Sequence, residues 1–457
     1  MLGFLNSSMA AATQRFISFA HGEGNTEKVK RIFNMSSVLH WGIAVMVLFL
    51  LEGAGYFFFN ETLNIAPDRI SVAKLIYQFM VISTLFTVIS VPYEAVITSH
   101  ENMKVYAVMG VIEAFLKLGI ALYITYSAID HLVMYGILMT ALSILLLIIK
   151  RIYCQRVYEE CHLHIKYYYD KPLLKEMGSF AGWSLFSSSS SMITNYGSTI
   201  IINIFYGTIL NAAQSIVGQI SGQLSVLGNT ISKAINPIIG KSIGSGNRNY
   251  MLKVSLFSGK ISFFLLAILY LPFMVQIPFI LKLWLKFVPE YTVIFCIFQL
   301  IRNLIEQLYL TLSSTIAAEG NIRTYSIYNS LFTLLPLPIS YVLFKLHFPP
   351  HFLYITFIIY AFFNGVIVLY FVNKISQLSI RLYFKEVFVR CVLSFFGPLL
   401  ISYLSTKIFS DPILSLLFSS AVSIFSLLIC IFIFGLNQEE KKIIRGVFYL
   451  FVKGWGK

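Results

Sequence analysis

Residues 4–25 read FLNSSMAAATQRFISFAHGEGN, and residues 226–247 read VLGNTISKAINPIIGKSIGSGN. Aligned at an offset of 222, the two segments share six identities, and both end in the pattern G-x-G-N. Each is an apolar stretch that runs into a glycine-containing turn, which is typical of a helix and its C-terminal stop. We infer that the chain contains an internal repeat that begins with these two segments.

The repeat continues through the following residues. At the same offset, Ala66-Pro67-Asp68 falls on Val288-Pro289-Glu290. After a slip of three residues, Asn102, Tyr106, Leu116 and Ile120 fall on Asn321, Tyr325, Leu335 and Ile339. The matches keep one order along the chain, so the repeat covers far more than its opening helix.

Composition places the chain in a membrane. Hydrophobic residues make up 57% of it and charged residues only 12%, against about 25% charged in soluble domains. Since a helix needs about 20 apolar residues to cross a bilayer, the sequence predicts an all-α integral membrane protein with about 13 transmembrane helices. The predicted spans are 1–20, 35–58, 72–97, 105–128, 131–150, 178–206, 209–240, 254–281, 291–317, 324–345, 352–373, 386–407 and 412–435.

The repeat and the spans together predict the domain organisation. Each repeat holds six helices, so both have the same orientation, as in transporters built from parallel repeats. We expect an N-terminal bundle over 1–150, an amphipathic cytoplasmic linker over 151–177 and a C-terminal bundle over 178–376. Two further helices and a basic tail occupy 377–457. The counterpart of span 178–206 would precede Met1, so we expect a complete protein of fourteen helices that lacks its first helix in this sequence.

The positive charges alternate along the chain. The formal net charge is +14, but most Lys and Arg residues fall on the loops that follow every second helix. This is the positive-inside pattern of an inner (cytoplasmic) membrane protein rather than a nucleic-acid-binding surface. It predicts a cytoplasmic C-terminus, with the tail from Lys441 to Lys457 on that side, and no nucleic-acid partner.

Several short motifs resemble those of Wzx-type polysaccharide flippases, members of the multidrug/oligosaccharidyl-lipid/polysaccharide exporter superfamily. The motifs are S-x-A-x-x-T-Q-R-F (Ser8–Phe16), the G-E-G-N loop, S-V-P-Y-E-A (Ser90–Ala95), F-A-G-W (Phe180–Trp183), N-x-x-x-G-x-x-x-N-A-A (Asn203–Ala213) and L-K-L-W-L (Leu281–Leu285). The resemblance covers essentially the whole chain, but it is more specific for the superfamily than for the substrate.

The resemblance implies two six-helix bundles in a V around a central cavity, working by alternating access. It implies translocation of undecaprenyl-diphosphate-linked oligosaccharide across the membrane for surface polysaccharide biosynthesis. Expected partners are this lipid-linked oligosaccharide, membrane lipids, and polysaccharide polymerases or glycosyltransferases. No cofactor is expected, and the choice of H⁺, Na⁺ or no coupling ion stays open.

Four cations lie inside apolar stretches: Arg15, Lys117, Lys233 and Arg302. Each costs about 2.5–3.5 kcal/mol to insert at a helix centre, so buried cations are candidates for function. Under the repeat, Lys233 falls on position 11, which is on the same helical face as Arg15. Both are candidates to bind a diphosphate. The alternative is that they snorkel or satisfy carbonyl groups at helix ends.

Two of these cations have a carboxylate four residues away. Glu113 precedes Lys117, and Glu306 follows Arg302. Such spacing favours an ion pair within one helix. The alternative is ion coupling, in which Glu113 or Glu306 exchanges a proton or Na⁺ while its partner cation, Lys117 or Arg302, is released to bind substrate; Lys117, near the middle of its span, is the better candidate to bind substrate.

Span 178–206 carries the run Ser187–Ser191 and then Asn195 and Asn203. Small hydroxyl residues allow close helix packing in membranes. They also suit the wall of a wet cavity, and the two asparagines favour that interpretation. Asn195 and Asn203 are therefore predicted to contact the sugar hydroxyls of a substrate.

Other functions are less well supported by the residues. Cys154, Cys161, His162 and His164 form C-x6-C-H-x-H, which matches no common zinc pattern, so no metal site is predicted. No nucleotide-binding or nucleophile motif is present and the predicted outer loops are short, which argues against a membrane glycosyltransferase or polymerase. An ion-coupled multidrug or cation antiporter and a peptidoglycan-precursor flippase, both of the same superfamily, remain alternatives.

Overall fold

A computed structural model describes residues 3–59, 66, 69–127 and 130–442. All regular secondary structure in these residues is helical, which confirms the predicted fold class. The helices are α1 (Gly3–Gly22), α2 (Thr26–Phe57), α3 (Ile70–Ser99), α4 (Met103–Thr125), α5 (His131–Val157), α6 (Ile165–Tyr168), α7 (Lys171–Gly244), α8 (Arg248–Trp284), α9 (Thr292–Glu319), α10 (Arg323–Leu334), α11 (Pro336–Lys345), α12 (Phe352–Ser376), α13 (Ile380–Tyr383), α14 (Val389–Ser405) and α15 (Pro412–Cys430).

The chain forms two compact units. The first contains residues 1–188 and 237–247, and the second contains residues 189–236 and 248–457. In the first unit, α1, α2 and α3 pack around Met9, Ala44 and Val88. In the second, α8, α9 and α12 form a core with α14 and α15, and it includes Leu271, Leu312, Val372 and Leu427. The units divide the chain twice inside α7, at residues 189 and 237, and again at residue 248. The predicted bundles over 1–150 and 178–376 stay an expectation.

Eleven helical segments of the described residues are long and apolar enough to cross a membrane. They account for twelve of the thirteen predicted spans, because α7 covers two. The remaining span is α1, whose polar residues, among them Thr13, Gln14 and Arg15, lower its hydropathy. The basic tail beyond residue 442 lies outside the described residues.

Helix α7 contains 74 residues and would be about 110 Å long if straight. The hydrocarbon core is only about 30 Å thick, so α7 must turn back. It breaks at Gly207, whose φ of 79° and ψ of −169° lie in a region that only glycine adopts readily. The break falls between the predicted spans 178–206 and 209–240.

The predicted repeat is visible in the backbone. Helices α2 and α8 begin at Thr26 and Arg248, and α3 and α9 begin at Ile70 and Thr292, each pair separated by 222 residues. The turn before α2 contains Gly24 with φ of 70°, and the turn before α8 contains Gly246 with φ of 74°. In both turns a glycine N–H donates to the carbonyl three residues earlier, at 3.1 and 2.9 Å.

Within the first unit, the ends of α1 and α7 cross at two glycines. A Cβ atom at Gly22 would overlap the carbonyl oxygen of Lys241, and one at Gly244 would overlap the carbonyl oxygen of Phe19. Phe19 and Lys241 are themselves repeat equivalents, because they too are 222 residues apart. The contact is therefore reciprocal, as at a twofold interface.

Two predicted segments have internal structure that the sequence prediction does not specify. The region predicted as a linker, 151–177, is largely helical: α5 continues to Val157, a 3₁₀ turn spans Glu159–Cys161, and α7 begins at Lys171 under the Asp170 cap. The predicted span 324–345 is divided between α10 and α11. Pro336 lies at that junction, where its missing N–H interrupts the hydrogen-bond ladder.

Candidate functional site

The second unit contains a cavity of about 450 Å³ among its membrane helices. Its walls come from α7 on both sides of Gly207, from α9 and from α12. An unpaired polar group in the hydrocarbon region costs several kcal/mol, so a polar cavity at this depth must hold water or a polar ligand. Many of the lining side chains are amides and hydroxyls: Asn195, Ser198, Thr199, Gln214, Ser215, Ser221 and Gln299.

A hydrogen-bond network supports the α9 wall. Asn303 Nδ2 donates to Ser221 Oγ at 2.8 Å and lies 3.2 Å from the hydroxyl of Tyr270. Gln299 Nε2 donates to Asn303 Oδ1 at 2.9 Å. Because Asn303 and Tyr270 are buried behind the wall, they fix the orientation of the Gln299 amide that faces the cavity.

A second hydrogen bond spans the break in α7. Gln214 Nε2 donates to Ser198 Oγ at 2.8 Å, and these residues lie on opposite sides of Gly207. The cavity wall is thus made from two spans of one helix, held together by side chains that also face the cavity.

Arg302 and Glu306 are the charged residues that line the cavity. Arg302 Nε donates to Glu306 Oε1 at 2.8 Å, so the pair expected from the i,i+4 spacing is present. The guanidinium carbon of Arg302 also lies 4.4 Å from the centroid of the Phe357 ring. Arg302 is the more buried partner, with 15% of its side chain exposed against 34% for Glu306. The carboxylate is therefore the more accessible charge.

Chemically, this cavity suits a neutral polar ligand with many hydroxyl groups. Amides and hydroxyls both donate and accept hydrogen bonds, as sugar hydroxyls do. The aromatic residues Tyr354 and Phe357 complete the wall. The one ionised pair is internally compensated, and a ligand could still reach Glu306.

The structure brings three of the predicted site residues together. Asn195, Arg302 and Glu306 all line the cavity. Asn203 and Lys233 belong to the same unit but do not line it; Asn203 is exposed on α7, and Lys233 is half-buried. Arg15, the proposed companion of Lys233, belongs to the other unit.

Arg15 lies among aromatic rings in the first unit. Its guanidinium carbon is 4.5 Å from the centroid of Phe16 and 5.5 Å from that of Phe180. Cation–π contacts of this kind stabilise a charge in an apolar setting. Binding of a diphosphate by Arg15 and Lys233 stays a prediction.

The predicted pair on α4 is also present. Lys117 Nζ lies 2.6 Å from Glu113 Oε1, and both side chains are more than one third exposed. No described residue of α4 is buried. The geometry matches the intrahelical ion pair, and substrate binding by Lys117 or ion coupling by Glu113 stays a prediction.

Cys154 near the end of α5 and the cysteine and histidines that follow this helix do not form one cluster. Cys154 and Cys161 are buried, whereas His162 and His164 are exposed. A hydrogen bond with Cys154, together with burial, raises the pKa of the Cys161 thiol well above its ordinary value. Because metal ions bind the thiolate form, the thiol of Cys161 is poorly suited to serve as a ligand.

Most of the uncharged residues of the site are not indicated by the pattern of charges in the sequence. Gln214, Ser221 and Gln299 line the cavity and Asn303 supports its wall, yet none is ionisable. A usable signal exists on α9, where Gln299, Arg302, Asn303 and Glu306 interrupt an apolar span at helical spacing. Gln214 and Ser221 on α7 have no such signal, because the break at Gly207 changes which faces of the helix point toward the cavity.

Comparison with known proteins identifies the fold. No protein-family model and no curated protein matches the chain. Among solved structures, a MATE transporter variant superimposes with a TM-score of 0.74 at 13% identity, covering 82% of this chain and 85% of the other. The chain has the fold of the MATE transporters.

Two further structures with this fold come from named organisms. A MOP superfamily transporter from Pyrococcus furiosus, described as having a binding pocket of reverse polarity, has a TM-score of 0.71 at 13% identity, covering 82% of this chain and 85% of that one. A variant of the Vibrio cholerae MATE transporter VcmN has a TM-score of 0.69 at 16% identity, covering 84% and 87%. At these identities the likeness establishes the fold and leaves the substrate open.

Proposed function

We propose that this protein is a transporter that moves undecaprenyl-diphosphate-linked oligosaccharide across the cytoplasmic membrane by alternating access. The transporter part of the proposal rests on the MATE fold. The substrate rests on the resemblance to Wzx-type flippases and on one observation, the cavity lined by amides and hydroxyls between membrane-spanning helices.

The cavity supports a glycan because of what its walls can do. Asn195, Gln214 and Gln299 offer donors and acceptors, and the aromatic residues Tyr354 and Phe357 line the same cavity. A lipophilic cation would gain little from such amides. An oligosaccharide would exchange its hydrogen bonds with water for equivalent bonds to the wall. In this proposal Arg15 and Lys233 attract the diphosphate of the same substrate.

A second candidate, ion-coupled export of a cationic compound, is supported by Glu306. Its carboxylate faces the cavity and is the more exposed member of its ion pair. A carboxylate in a membrane cavity could exchange a proton or Na⁺. A peptidoglycan-precursor flippase would use the same polar wall as the leading candidate.

Reconstitution in liposomes separates these candidates. Wild-type protein is expected to translocate a fluorescent lipid-diphosphate oligosaccharide. Gln299→Leu should lower that rate about tenfold, because losing hydrogen-bond energy of about 1.4 kcal/mol in the transition state costs a factor of ten. Gln223→Leu is the matched control, since Gln223 is exposed on α7 and does not line the cavity.

Glu306→Gln provides the discriminating variant. If the protein is a flippase that does not couple to Glu306, this variant retains glycolipid translocation and its pH response. Transport of a lipophilic cation driven by a proton or Na⁺ gradient, with no glycolipid translocation and with loss of coupling in Glu306→Gln, would contradict the proposal.

A further inference from the structure

Three side chains with metal-binding atoms meet in the first unit, away from the cavity. They come from separate elements: His21 from the last turn of α1, His100 from the cap that follows α3, and Glu160 from the 3₁₀ turn after α5. One ligand atom from each lies within 4.8 Å of the other two. Residues 21, 100 and 160 form no sequence motif, so only the fold assembles them.

The carboxylate of Glu160 is the centre of the cluster. Its Oε1 lies 2.6 Å from His100 Nε2 and 3.9 Å from His21 Nε2. Glu160 is 9% exposed. His21 Nε2 is buried and makes no hydrogen bond with any described residue. A buried imidazole nitrogen without a hydrogen bond, 3.9 Å from a carboxylate, is an uncommon arrangement that calls for a physical reason.

We propose that His21, His100 and Glu160 bind a divalent transition-metal ion, with Zn²⁺ as the representative. Two imidazoles and one carboxylate are an established zinc ligand set, and a fourth position is left for water. The ion would satisfy His21 Nε2, to which no group among the described residues is hydrogen-bonded. Imidazole ligands select Zn²⁺ and similar ions over Mg²⁺ or Ca²⁺, which prefer oxygen.

Only small movements are needed. Zinc lies about 2.0–2.2 Å from each nitrogen or oxygen ligand, so adjacent ligand atoms sit roughly 3.3 Å apart in a tetrahedral site. The His100–Glu160 contact must lengthen slightly, and His21 must approach. The proton shared between His100 and Glu160 is displaced by the ion and passes to solvent.

The surroundings support the His100 ligand. Its ring stacks on that of Tyr158 with centroids 4.1 Å apart. The Tyr158 hydroxyl accepts from Asn102 Nδ2 at 3.2 Å. Such outer contacts fix the orientation of metal-ligating imidazoles. Lys241 places a positive charge near His21. Its Nζ lies 2.6 Å from Oε1 of Glu101, so this charge is largely compensated.

The site would stabilise a particular part of the fold. Bound metal would join the end of α1 to the end of α3 and to the turn after α5. Gly22, which packs against the Lys241 backbone of α7, directly follows His21. Metal binding would therefore hold α1 in the position that its crossing with α7 requires.

The test uses full-length protein carrying an affinity tag without histidine. After treatment with a chelator, the protein is dialysed against Zn²⁺ alone, and bound zinc is measured by mass spectrometry together with the melting temperature. We expect about one equivalent of zinc and a higher melting temperature than that of the chelator-treated protein. His21→Ala, His100→Ala and Glu160→Gln should each weaken binding at least about tenfold.

The matched control is the double variant His162→Ala and His164→Ala. These histidines lie on the same linker as Glu160, but their side chains are exposed, so zinc binding should be unchanged. Unchanged zinc affinity in the three ligand variants, measured by titration of the chelator-treated proteins with Zn²⁺, or weaker binding only in the control, would refute the site. X-ray absorption of the wild-type zinc complex tests the ligands without any variant: two imidazoles and oxygen ligands support the proposal, and thiolate ligands overturn it.

Discussion

At the scale of single residues, a buried charge in a membrane helix is paired with an opposite charge that lies beside it in the fold. Lys260 is 1% exposed in α8, and its Nζ lies 2.7 Å from Oε2 of Glu440. The same oxygen accepts the backbone N–H of Asn437 at 2.8 Å. Two charges removed from water are compensated only while both are present, because the desolvation penalty of each remains when its partner is lost.

We therefore predict that Lys260→Met destabilises the protein by about 3–5 kcal/mol, since it leaves the Glu440 carboxylate buried and unpaired. The double variant Lys260→Met and Glu440→Leu should recover most of that loss. Thermal unfolding in detergent measures both. Equal destabilisation by the single and double variants would show that packing, rather than charge, determines the effect.

At the scale of elements, glycines allow two helix ends to approach closely. The crossing of α1 and α7 places a backbone carbonyl where a side chain would begin at both Gly22 and Gly244. Small residues are the usual means of such approach between membrane helices. Because the contact is reciprocal under the repeat, the two positions should respond alike.

We predict that Gly22→Ala and Gly244→Ala lower the melting temperature and the transport rate to a similar extent. Each added methyl group must displace backbone, which cannot move as a side chain tip does. Gly182→Ala is the matched control, since a Cβ there meets nothing within 4 Å and alanine favours a helix. A strong effect at only one of the two crossing glycines would contradict the reciprocal contact.

At the scale of the whole molecule, orientation in the membrane rests on the distribution of positive charge. Basic residues cluster where α5 leads to α7 (Lys150, Arg151, Arg156, Lys166, Lys171 and Lys175) and where α7 leads to α8 (Lys241, Arg248 and Lys253), whereas Lys282 and Lys286 stand at the end of α8. Between Lys166 and Lys286 the chain crosses three times, through the two spans of α7 and through α8. These two positions should therefore face opposite sides.

Cysteine labelling tests that orientation. In a background without the five native cysteines, Lys286→Cys should react with an impermeant maleimide in intact cells. Lys166→Cys should react only after permeabilisation. Both lysines are exposed, so access to reagent should depend on the side of the membrane. Labelling of both positions in intact cells would contradict the predicted topology.

The candidate site shows how far side-chain chemistry can be anticipated along one helix. The sequence indicates Arg302 and Glu306 because charges are rare in an apolar span, and their pairing follows from helical spacing. The sequence also indicates Asn195, an amide on a serine-rich helix. Their common cavity was not predictable, because α7, α9 and α12 meet only through packing between distant segments.

The sequence by itself determined the class of the molecule, the positions of its spans and the repeat. These features depend on the order of residues along the chain: the lengths of the hydrophobic segments, the positions of the basic residues and the spacing of 222 residues. The backbone turns or breaks between spans at Gly24, Gly207 and Gly246, where φ is positive. Tertiary structure alone decided which side chains meet. The Asn303 network, the Lys260–Glu440 pair and the cluster of His21, His100 and Glu160 each join residues far apart in the chain. Their distances depend on how helices pack, and no local pattern encodes that packing.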